Sequence, residues 1–152
     1  MKLKSPVFTE GHTIPKLFTG EGRDISPPLT WSDVPAGCKS LALTCEDPDA
    51  AGGTFIHWVV YNISPKMVAF SEGVKNLDQG RNSFDKQSYG GPMPPKGHGK
   101  HHYIFTLYAL DSDLKLKPGL SYEELMSAIK NRVISKAKLI GIYERMHDQK
   151  TA

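Results

Sequence analysis

YGGPMPPKGHGKHHYIFTLYAL, residues 89–110, changes character halfway, and that change sets the fold class. Up to Gly99 it is rich in proline, which lacks a backbone donor, and glycine, which adds backbone freedom, so it predicts a stiff loop. From His101 to Leu110 nearly every residue is a β-former, so the loop delivers its histidines onto the first residues of a strand. Alternation then puts His101, Tyr103, Phe105 and Leu107 on one face, and His102, Ile104, Thr106 and Tyr108 on the other. A protonatable ring beside a phenol, at a junction lined by glycine N–H groups, suits an oxyanion such as phosphate. The same residues also fit a stiff turn with ordinary surface histidines.

Two upstream stretches supply partners for that strand. Residues 40–46, SLALTCE, alternate Leu41, Leu43 and Cys45 against Ala42, Thr44 and Glu46, then run into Asp47-Pro48-Asp49. The proline restricts Asp47 to extended backbone, so two carboxylates are held in one geometry at a strand end; a plain Asx turn is the alternative. Residues 54–63, TFIHWVVYNI, are apolar on both faces and predict a central strand. Alternation puts its one imidazole, His57, with Phe55, Val59 and Tyr61. A buried polar ring needs a partner, and Asp47 or Asp49 is the nearest candidate, whether His57 is a site residue or a satisfied core histidine.

The remainder frames these strands. Residues 7–18, broken by Gly11 and Pro15, predict short edge strands or an irregular arm. In residues 26–31, SPPLTW, the proline pair forces extension and turns Leu29 and Trp31 to one side as core. Residues 65–80 predict a connection and 81–88 an irregular scaffold. Ser121 and Glu124 form a capping box that starts a helix, with Leu125, Met126, Ile129 and Val133 as its apolar stripe. A last strand is expected within residues 134–146.

Composition bounds the function. A chain of 152 residues is expected to form a single domain over 1–152, and 39 % hydrophobic residues with 14 glycines and 11 prolines describe a loop-rich, mainly β protein. A net charge of only +3 with scattered lysines excludes a nucleic-acid partner. No apolar run is long enough to cross a bilayer, so an integral membrane protein is not expected, and a cytoplasmic location is. If residues 39–46 are extended, Cys38 and Cys45 stand roughly 23 Å apart, beyond disulfide reach, and fit a reducing compartment. A metal-dependent hydrolase is disfavoured, since the chain has neither paired helical histidines nor a nucleophile elbow.

In order along the chain, SPPLTW (26–31), DPDA (47–50), HWVVYN (57–62) and GPMPPKGHGKHHY (91–103), with LIGIYER (139–145), resemble the phosphatidylethanolamine-binding protein family. More narrowly they resemble its bacterial and archaeal Raf-kinase-inhibitor-like branch. The resemblance implies a mainly β (α+β) fold, a large antiparallel sheet packed on a smaller one, with a short helix toward the C-terminus. It implies no cofactor, no bound metal and no catalytic residue, but a small anion pocket built from Asp47, Pro48, Asp49, His57, Gly91, Pro94, Pro95, His101 and Tyr103. Its implied partners are a phosphate-type or phospholipid head-group ligand and, as an alternative, a protein kinase or protease; a homodimer is left open. The chain departs from the family pattern at Ala51, where proline is usual, and at His102, where arginine is usual. Because position 102 faces away from the pocket, that exchange is expected to alter only an outer ion pair. Tyr143 is the candidate cover.

Overall fold

The computed structural model describes residues 1–146; residues 147–152, the end of the expected single domain, lie outside the described residues. The large sheet is antiparallel with order β6-β4-β3-β7-β8, comprising β3 (Ser40–Asp47), β4 (Phe55–Ile63), β6 (Asp78–Gln79), β7 (His101–Leu110) and β8 (Val133–Tyr143). The small sheet has order β1-β2-β5, from β1 (Lys2–Lys4), β2 (Leu29–Ser32) and β5 (Ala69–Phe70). An α-helix, α1 (Tyr122–Ile129), starts at the expected capping box, in which Ser121 and Glu124 satisfy each other's backbone N–H groups.

The two faces of the large sheet bury different things. Leu41, Leu43 and Cys45 of β3 meet Phe105 and Leu107 of β7 and, across the sandwich, Leu3, Leu29, Trp31 and Phe70 of the small sheet. Trp31 is thus core, and its indole N–H donates to the Met67 carbonyl. The opposite face, with Ala42, Val59 and Tyr61, packs under Leu125 and Ile129 of α1. Cys38 and Cys45 are both buried free thiols.

Two local expectations need correction, and one further strand lies where none was expected. The connection over residues 65–80 contains the short strands β5 and β6, whose two-residue lengths are below what a periodicity can show. The first residues form β1, pairing Leu3 with Trp31. Val133 does not extend the helical stripe; Asn131 turns the chain at φ 67° and Val133 opens β8.

Residues 7–18 are the irregular arm, ending in a single 3₁₀ turn at Lys16–Phe18. Gly11 donates to Ile140 and Ile14 to Ile142, so the arm covers the outer edge of β8 and leaves less of it open to pairing. This close approach needs Gly141, where an added Cβ would lie 2.5 Å from Ile14 Cγ1 and 2.8 Å from Phe8 Cε2. Gly141→Ala is therefore expected to destabilise the fold by about 1–3 kcal/mol through overpacking. Urea unfolding measures it; an unchanged midpoint would mean that the arm does not pack as described.

Candidate functional site

The end of the large sheet where β3 stops and β4 and β7 begin holds a cavity of about 260 Å³. Asp47, His57, His101 and Tyr103 supply its polar lining, and Phe55, Phe84, Met93, Pro94 and Pro95 much of its apolar wall. Ala50, Ala51 and Gly52 close the side formed by the β3–β4 turn.

Asp47 is 3 % exposed and His101 2 %, and their side chains meet at 2.6 Å between Oδ2 and Nδ1. The other carboxylate oxygen of Asp47 accepts the backbone N–H of Asp49 at 2.8 Å, the Asx turn that Asp-Pro-Asp favours. With both oxygens accepting, Asp47 acts as a carboxylate, and Nδ1 of His101 carries the hydrogen. Nε2 of His101 meets Nδ1 of His98 at 2.7 Å.

His57 does not pair with an aspartate. Its Nδ1 lies 2.6 Å from the Gly90 carbonyl, which can only accept, so the ring proton sits there. Burial pushes its pKa below the ordinary 6.5, outweighing the Gly90 carbonyl and the Asp47 charge, which raise it. The ring is thus neutral, and its partner is the Gly90 carbonyl in place of the expected Asp47 or Asp49.

Its face partners also differ from strict alternation. Opposite β3, Glu46 pairs with Ile56 but the adjacent Cys45 pairs with Trp58, leaving His57 as the extra residue of a β-bulge. Ile56, Val59 and Tyr61 consequently turn to the helix side, while His57 packs against Phe55 and Tyr103 with ring centroids 4.9 and 5.1 Å apart.

Tyr103 is fully buried, and its hydroxyl has no hydrogen-bond partner among the described residues. Burial and then the Asp47 charge push its pKa well up, so it remains an O–H donor.

The other expected site residues lie elsewhere. Pro48 and Asp49 are exposed and outside the lining. Asp49 Oδ2 accepts the backbone N–H of His102 and contacts its ring at 2.7 Å, and chiefly that ring contact lowers the Asp49 pKa. Position 102 thus meets Asp49 on the outer face, the face that alternation predicts. Gly91 is buried, but its N–H donates to Asp24 Oδ1, and that of Gly90 to the His57 carbonyl. The Gly90 and Gly91 donors expected to line the site are therefore already engaged. Tyr143 is not the cover: its hydroxyl donates to Glu21 at 2.6 Å, away from the cavity.

Phe84 and Met93, each 44 % exposed, form the outer wall instead, and sequence reasoning missed both. Asn82 positions Phe84 by accepting two backbone N–H groups and donating to the Ser88 carbonyl. The available signal was a single phenylalanine in the polar run RNSFDKQS. Among the described residues, no three histidines, cysteines or carboxylates converge as metal ligands.

A two-sheet β protein with a carboxylate–imidazole pair and a phenol in a pocket at one sheet end defines a class, and comparison places the chain in it. The family model described as phosphatidylethanolamine-binding protein matches residues 4–144, and the chain belongs to this family. A structure of a phosphatidylethanolamine-binding protein homologue from Chlamydia trachomatis is 41 % identical, with TM-score 0.90, over 95 % of this chain and 97 % of that one. Escherichia coli YbcL, described as a member of the mammalian family, is 33 % identical with TM-score 0.87, over 94 % and 97 %. The UPF0098 protein of Pyrococcus horikoshii is 45 % identical, over 95 % of this chain and 78 % of that one. A candidate lipoprotein of Mycobacterium tuberculosis, LppC, is 41 % identical, over 95 % and 72 %. No helix among the described residues is long and apolar enough to cross a membrane.

Two outcomes are expected from the geometry. His101→Ala leaves the Asp47 carboxylate buried without its ring and should cost about 3–5 kcal/mol, read as a fall in thermal or urea stability. An unchanged melting temperature would refute the pairing. Because His57 is held neutral, the stability it contributes is complete above pH 6.5 and is lost as pH falls from there through its lowered folded value. Replacement by Gln should flatten that part of the stability profile; identical slopes would place the titration elsewhere.

Proposed function

We propose that this protein is a non-catalytic binding module whose pocket takes a small oxyanion, of the phosphate-monoester or carboxylate class, attached to a compact body. The observation that carries this is the Tyr103 hydroxyl, a buried donor without a protein partner in a cavity that also holds His101. Leaving such a donor unmade costs about 1–3 kcal/mol, which a ligand oxygen would recover. The walls of Phe55, Phe84, Met93 and the two prolines suit an uncharged or alkyl portion beside the oxyanion. A phosphoethanolamine head group has this shape, and its ammonium would find acceptors in Asp47 and the neutral His57.

A protein partner is the second reading, favoured by one observation: the oxyanion of a phosphorylated side chain is the same chemistry as a free phosphate monoester. A precedent exists only at the level of the fold, in a carboxypeptidase Y inhibitor complexed with its cognate proteinase, 20 % identical with TM-score 0.56. Kinase or protease regulation by this chain would thus run through the same pocket, and free phosphate monoester would compete with it.

NMR titration of the ring signals with O-phosphorylethanolamine tests the proposal. Saturable shifts of His101 and Tyr103 are expected, with Tyr103→Phe weakening affinity about 10- to 100-fold, the equivalent of one lost hydrogen bond to a charged group. The same variant should melt no lower than the wild type, because the free protein leaves that hydroxyl unpaired. Absence of any shift up to high ligand concentration would reject an oxyanion pocket.

A further inference from the structure

The polar groups of the pocket are ill-matched to an anion unless a positive charge is found. Among the described residues no lysine or arginine lines the cavity, Asp47 is a carboxylate, and His57 is kept neutral by burial. The Gly90 and Gly91 N–H groups are engaged. What remains is a chain of three side chains: Asp47 Oδ2 to His101 Nδ1 at 2.6 Å, then His101 Nε2 to His98 Nδ1 at 2.7 Å. His98 is exposed, so the far end of this chain reaches solvent. It sits between Gly97 and Gly99, at φ 72° and 86°, conformations that glycine adopts without strain.

The hydrogen-bond directions give this chain one neutral state and one singly protonated state, whose charge lies on either ring. With Nδ1–H of His101 given to Asp47, a neutral His101 accepts at Nε2, so His98 donates from Nδ1 and its own Nε2 holds a lone pair. One proton from solvent, added at His98 Nε2, converts the pair to a cation. That charge can pass to His101 by transfer of the bridging hydrogen, and no other bond changes.

We propose that the positive charge offered to an anion by this pocket is a proton shared by His98 and His101, so that the site takes up a proton when an oxyanion binds. His98 is then a positioning residue that sets the charge of His101 from outside the cavity. This rests on the anion reading of the pocket. Around the pair stand Asp47, His57 and Tyr103 in the cavity, and Tyr143 opposite His101 on β8. Arg145 donates to the Pro94 carbonyl from behind the loop, and its charge is met by Glu21 at 3.5 Å. Asp49 is committed to His102 on the outer face, and Lys96 and Lys100 flank the loop in sequence. None of these supplies a cation inside the cavity.

Calorimetry of O-phosphorylethanolamine binding above pH 7, in two buffers of different ionisation enthalpy, tests the proposal. There the phosphate of the probe is already a dianion, its second pKa being about 6, so any proton taken up belongs to the protein. The wild type should take up a proton, with affinity falling by up to about tenfold per pH unit, as linkage to one proton requires. His98→Asn should still bind, more weakly, with that uptake and pH dependence largely lost over the same range. Ring ¹⁵N spectra of the wild type should show His98 and His101 titrating together and both gaining proton character on binding. These spectra decide the matter without relying on the variant's fold. Binding without proton uptake, or equal uptake in wild type and H98N, overturns the inference and leaves the anion pocket standing. No binding by the wild type overturns both.

Discussion

The buried contact between Asp47 and His101 is the constraint to which the site answers. A carboxylate and an imidazole are both withdrawn from water at the end of a sheet, where each would be costly alone. They are tolerable because every polar position on them is used: the Asp49 N–H and the His101 ring on one side, the His98 ring on the other. The contact also fastens the end of β3 to the start of β7, central strands that pair with each other from Ser40↔Leu110 to Glu46↔Ile104. The sheet therefore presents its polar groups in a fixed arrangement, on strands and not on mobile loops.

Around that pair the pocket separates groups by the charge they can carry. Burial against Phe55 and Tyr103, with the Gly90 carbonyl on Nδ1, makes His57 a neutral ring that accepts. Tyr103, pushed to high pKa by the same burial and by the Asp47 charge, keeps its hydrogen and remains a donor. The His98–His101 pair is where we place a charge that can change, since its His98 end is exposed. Similar residue types thus play unlike parts because their surroundings differ.

Much of this was legible in the sequence, because local chemistry determined it. Proline and glycine between Gly90 and Gly99 and the β-formers after them fixed where the loop ends and β7 begins. Alternation along β7 separated His101 and Tyr103 from His102 and predicted the outer pairing that His102 makes with Asp49. The capping box started α1 at Ser121. Alternation failed on β4, where the bulge at His57 shifts the period by one, so that Val59 and Tyr61 face the helix and not the site. A bulge depends on what the neighbouring strand pairs with, and no periodicity in β4 alone contains that information.

The sequence by itself determined the mainly β class, the loop-to-strand junction and the residue types gathered at it, because these follow from backbone stereochemistry and a two-residue period. Only the tertiary structure decided who partners whom. It gave Asp47 to His101 and the Gly90 carbonyl to His57, engaged the Gly90 and Gly91 donors elsewhere, brought Phe84 and Met93 to the pocket wall, and set His98 against His101 from outside it. The physical reason is that a hydrogen bond or a desolvated charge is set by distances of a few ångströms between segments far apart in the chain. Those distances exist only once both faces of the large sheet are packed.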